Sequence, residues 1–225
     1  MVDYPDRGTQ AEALAGTVAG ELAAALTVKG SAILCVPGGT TPGVFLKALS
    51  AKPLDWANVS VLLNDERWVP PDHERSNERL LRQTLLTGAA EAAKYIPLYT
   101  DAPSPEAGLA MLEPAVRDAL PIDSLVLGMG ADMHTASLFP GADKLEQALD
   151  PHCTALLLPM RAPGAAEPRI TLTLPALLSA AHTHILIAGA DKNAALSEAE
   201  KDGPVADAPI RAILRGTAPT IHYAP

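Results

Sequence analysis

Alternation restricts this chain more than any other feature. Short apolar runs of strand length are separated by longer stretches whose apolar residues recur every three or four positions. SAILCV (31–36), NVSVLLN (58–64), DSLVLGMG (123–130) and THILIAG (183–189) read as strands, with KYIPLY (94–99), TALLLP (154–159) and PTIHYAP (219–225) as further, weaker ones. Between them TQAEALAGTVAGELAAAL, TPGVFLKAL, SNERLLRQTLL, SPEAGLAMLEPAVRDAL, LPALLSAA and DKNAALSEAE read as helices, with Ser76 as an N-cap and a kink or break at Pro114. Strands that are apolar throughout are buried on both faces, which requires helices above and below a mainly parallel sheet. The expectation is an α/β protein: one domain spanning residues 1–225, with a Rossmann-like sheet and helices on both faces. No repeat, linker or low-complexity stretch divides it.

Charge narrows the partners. A net charge of −9 argues against a nucleic-acid or membrane-surface partner, both of which need an extended cationic field. A small anion is not excluded, because a helix N-terminus and a few local donors suffice to bind one. The start MVDYPDRGTQ lacks the basic-then-apolar pattern of a signal peptide, and no apolar run reaches about 18 residues. A cytoplasmic protein is expected. Cys35 and Cys153 show no CxxC spacing and are read as reduced thiols.

In open parallel sheets, ligands bind beyond the carboxyl ends of the strands. Four strand ends carry polar groups: PGGTTPGVF, DERWVP, MGADMHTAS and AGADKN. The first offers Gly38 and Gly39 for close approach of an anion to the backbone, Thr40 and Thr41 as hydroxyl donors, and Pro42 for a first helical turn. It is neither a Walker motif nor GxGxxG. The second clusters Asp65, Glu66 and Arg67 beside Trp68 and Val69. In the third, Asp132 and His134 share one tight loop, so the carboxylate can orient the imidazole as a general base. The remaining histidines show no metal-ligand spacing, which puts a metal site well below a general base. A serine-hydrolase elbow is absent, and Ser137 falls inside the helix presumed to follow His134. Arg169 and Lys192, placed at the same face, would supply fixed charge for a phosphorylated ligand.

PGGTTP, NDERWVPPDHERSN, DSLVLGMGADMHTASLFPG, RITLTLPALLSA and ILIAGADKNAAL, in this order over about residues 31–200, resemble the signature segments of the 6-phosphogluconolactonases. The resemblance implies the fold of glucosamine-6-phosphate deaminase and hydrolysis of 6-phospho-D-glucono-1,5-lactone without metal or cofactor. It implies His134 as general base, Asp132 as its acidic companion and Asp65 at the place of a catalytic acid in the deaminases. Gly38, Gly39, Thr40, Thr41, Arg67, Arg169 and Lys192 fall in the segments associated with the sugar phosphate. The partner is then a small phosphorylated lactone, and the protein a monomer or weak homodimer. A related isomerase or deaminase is the alternative; its segment resembles GxGxDGHIAFNEPG, with a glutamate before the proline where this chain has Phe139. A non-catalytic sugar-phosphate binder is the other. Met133 stands where the pattern has glycine, and it is expected to keep negative φ and point outward.

Overall fold

The computed structural model describes residues 1–39 and 41–225; Thr40 lies outside the described residues. In chain order the elements are β1 (Val2–Asp3), α1 (Arg7–Lys29), β2 (Ala32–Val36), α2 (Pro42–Ser50), β3 (Val59–Leu63), β4 (Asp65–Arg67), α3 (Asn77–Thr84) and β5 (Lys94–Ile96). They continue with α4 (Pro105–Asp118), β6 (Ser124–Gly128), α5 (Leu145–Leu149), β7 (Leu157–Met160), β8 (Arg169–Leu172), α6 (Leu174–Leu178), β9 (His182–Ala188), α7 (Ala190–Ala199), α8 (Ile210–Gly216) and β10 (Thr220–Ala224). Seven strands form one sheet in the order β1-β10-β9-β6-β2-β3-β5, with every neighbouring pair parallel. Its central strands are buried almost throughout, as their unbroken apolar sequences require.

α1 shows how sequence sets packing. Asp6 accepts from the Thr9 N–H at 2.8 Å to start it, and Gly30 at φ 74° ends it. Ala11, Leu14, Ala15, Val18 and Leu22 form one buried stripe against the sheet and α2. Gln10 on the same stripe donates to the carbonyls of Ile187 and His222, both at 2.8 Å, joining α1 to β9 and β10. A second polar line ties the same elements: Tyr4 Oη meets His222 Nδ1 at 2.9 Å, His222 Nε2 meets His184 Nδ1 at 3.1 Å, and His184 Nε2 meets Glu21 at 3.0 Å. Burial pushes His222 down to about 4, so it sits in this line as a neutral ring.

Two features depart from the sequence reading. α4 runs through Pro114 without breaking: Pro114 and Ala110, whose carbonyl the proline leaves unbonded, are both exposed, so the lost bond strands no buried polar group. A separate antiparallel sheet, β4-β8-β7, was not expected; it pairs Asp65 with Thr171 and Arg67 with Arg169.

Candidate active site

Strand addition reverses at β2, with β3 and β5 on one side and β6, β9, β10 and β1 on the other. Loops leaving two strands at such a point diverge and open a crevice. Here the crevice is a cavity of about 240 Å³. Gly38, Gly39 and Thr41 line it after β2, Asp65 and Arg67 from β4, His134 after β6, Arg169 from β8 and Lys192 from α7. Thr40, also expected here, lies outside the described residues. Asp132 stands behind His134 rather than on the cavity wall. The cavity has three cationic side chains, Arg67, Arg169 and Lys192, against one carboxylate, Asp65.

His134 is held on two sides. Asp132 Oδ1 lies 2.5 Å from its Nδ1, and the Phe139 ring stacks on it with centroids 4.0 Å apart. With Nδ1–H donated to the carboxylate, Nε2 is the nitrogen left to accept a proton. The hydrogen bond from His134 holds the Asp132 carboxyl below the ordinary range, so it is ionised near neutrality. The loop carrying both is closed by Gly130 N–H to the His134 carbonyl and Met133 N–H to the Gly130 carbonyl, each at 3.0 Å. A side chain on Gly130 would collide with both Asp132 and His134, so only glycine permits this closure.

The loop corrects two expectations. No helix follows His134 directly: residues 131–144 form turns, with a single bridge between Thr135 and Leu138. Met133 does not keep negative φ but sits at φ 63°, half-buried against the core instead of pointing outward. Its N–H is bonded to Gly130, and its carbonyl accepts from Ile210 N–H at 3.1 Å; these two bonds impose the left-handed conformation. Of two variants that both remove the side chain, Met133→Gly is therefore expected to be more stable than Met133→Ala by about 1 kcal/mol. Urea unfolding checks this, and equal midpoints would show that residue 133 is unstrained.

Asp65 is anchored from below. Ser137 Oγ donates to its Oδ2 at 2.5 Å, and Arg169 Nη1 lies 3.5 Å from the same oxygen. Asn77 Nδ2 donates to the Asp65 carbonyl at 3.0 Å and approaches Oδ1 only at 3.5 Å, so Oδ1 retains capacity to accept. Arg169 also lies over the Phe139 ring, 5.0 Å from its centroid. The groups therefore form one continuous assembly from Asp132 through His134, Phe139 and Arg169 to Asp65. Glu66, alternating to the opposite side of β4, is buried and accepts from the N–H groups of Arg67, Asn77 and Glu78 at 2.7–2.8 Å. Burial pushes it up to about 7, against the pull of those donors. It serves to fix the start of α3, where Ser76 caps as expected.

Sequence reasoning missed Asn64, Asn77 and the supporting role of Ser137. Asn64 Oδ1, Arg67 Nε and Arg169 Nε are buried without a hydrogen-bond partner among the described residues, and all three belong to cavity-lining residues. Such groups call for a polar ligand. Among the described residues no group of three or more His, Cys, Asp or Glu could hold a metal ion.

Residues 5–222 match the family described as glucosamine-6-phosphate isomerases/6-phosphogluconolactonase. A 6-phosphogluconolactonase of Rhizobium meliloti is 45% identical over 96% of this chain and 94% of its own length. One from Mesorhizobium japonicum is 47% identical, covering 94% of this chain and 88% of its own. Among solved structures, a 6-phosphogluconolactonase from Shewanella baltica has a TM-score of 0.92 at 34% identity, covering 99% of this chain and 95% of that one. One from Thermotoga maritima has a TM-score of 0.79 at 26% identity, covering 99% and 97%.

Proposed function

The chain belongs to the family of glucosamine-6-phosphate isomerases and 6-phosphogluconolactonases, and from that premise we propose that it hydrolyses 6-phospho-D-glucono-1,5-lactone to 6-phospho-D-gluconate, in the oxidative pentose phosphate pathway. The observation that carries the mechanism is the Asp132–His134 pair at the edge of a cavity with an excess of cations. His134 Nε2 takes a proton from the water that attacks the lactone carbonyl, and the resulting imidazolium returns a proton to the departing ring oxygen. Asp132 stabilises the charged ring between the two steps and Phe139 fixes its plane. Asp65, its Oδ2 occupied by Ser137 and Arg169, uses Oδ1 to accept from a sugar hydroxyl.

Arg67, Arg169, Lys192 and the loop of Gly38, Gly39, Thr40 and Thr41 bind the phosphorylated end. Binding energy gained there orients C1 against His134 and should therefore affect turnover as well as affinity. Lys192 is half-buried, and burial followed by the nearby Arg7 pushes its pKa down. We place the enzyme in the cytoplasm, acting as a monomer or weak homodimer on a small phosphorylated lactone.

The test is a paired assay. Fresh 6-phospho-lactone is expected to open well above its buffer blank, and glucosamine 6-phosphate to release no ammonia. Phe139 supports the second expectation, because it occupies the place where the deaminase segment carries a glutamate. Steady ammonia release would move the chain to the isomerase branch of the family.

A further inference from the structure

Lys192 and Arg7 come together from opposite ends of the sequence. α7 begins at Ala190 after Gly189, whose φ of 93° is left-handed and which provides no side-chain cap. The guanidinium Nη2 of Arg7, the first residue of α1, lies 3.8 Å from where a side chain on Gly189 would begin. Lys192, in the first turn of α7, lines the cavity. Neither cation is within ion-pair distance of a carboxylate among the described residues, although the chain has 26 acidic residues against 17 Lys and Arg. Two neighbouring cations, one of them half-buried, repel each other unless an anion lies between them.

We propose that Arg7 determines specificity as a second cation for the substrate's phosphate, acting beside Lys192 at the start of α7. This rests on the reading of the substrate as a phosphorylated lactone. A dianionic phosphate over the first turn of α7 faces Lys192, and Arg7 reaches it from the outer side across Gly189. Arg7 is exposed, so its charge is available to an incoming phosphate.

The experiment measures binding of 6-phosphogluconate by calorimetry, and kcat and KM on the phosphorylated lactone, for wild type, Arg7→Gln, Arg7→Lys and Lys192→Gln. Arg7 is exposed and Asp6 still caps α1, so its variants should fold normally. Arg7→Gln is expected to weaken binding of 6-phosphogluconate and raise KM by about tenfold, and Arg7→Lys to recover most of the loss. Wild-type affinity in Arg7→Gln, with Lys192→Gln weakened, would overturn the role of Arg7 and leave the substrate assignment standing. A wild type that binds 6-phosphogluconate no better than gluconate would overturn both.

Discussion

His134→Asn is expected to lower kcat by about 10²–10⁴, the usual worth of a positioned proton transfer. Asparagine retains polarity and part of the ring's bulk over Phe139, and His134 is only half-buried, so the fold should survive. KM should change little, because the proton is moved only on the way to the transition state. Asp132→Asn should lie between this variant and wild type: it leaves a base in place but removes the anion that holds Nδ1 and stabilises the imidazolium. Because the lactone opens spontaneously, each rate must be read above its own blank. A folded His134→Asn protein with most of the wild-type rate would remove the histidine from the chemistry.

The second large effect falls on stability. In Arg169→Ala the buried Asp65 carboxylate loses its charge partner, with both side chains no more than 10% exposed. An uncompensated buried charge costs about 3–5 kcal/mol, which for a chain of this size lowers Tm by roughly 10 °C. Ser137 remains as a donor to the Asp65 carboxylate and keeps the loss toward the lower figure. Removing both charges, Asp65→Asn with Arg169→Met, should recover most of it. An Arg169→Ala protein as stable as wild type would show that the pair is solvated and that Arg169 serves the ligand alone.

How much was legible can be traced residue by residue. β2, β3, β6 and β9 were readable because burial on both faces demands unbroken apolar sequence. β4 and β8 were not: Asp-Glu-Arg looks like a charged loop, and nothing in Arg-Ile-Thr-Leu says that it pairs with β4 outside the main sheet. β1, with two exposed residues, gives no signal at all. The Asp132–His134 pair was visible because both partners lie in one short loop. Ser137 and Asn77 act on Asp65 across 72 and 12 positions, and no local spacing reports such contacts. Met133 was misread for a related reason: its φ is imposed by bonds to Gly130 and to Ile210 in a distant helix, not by its own preference.

The edge where β1 lies beside β10 has a consequence for how the protein is made. Tyr4 and His222 meet across 218 positions, and Gln10 waits for carbonyls on Ile187 and His222. A ribosome adding about 5–20 residues per second spends roughly 10–40 s between delivering the first of these groups and the last. During that interval α1 can settle on α2 and the strands already made, and its polar contacts with β10 have no partner. The nascent chain therefore completes the middle of its sheet first and seals the outer edge only after the final strand has emerged.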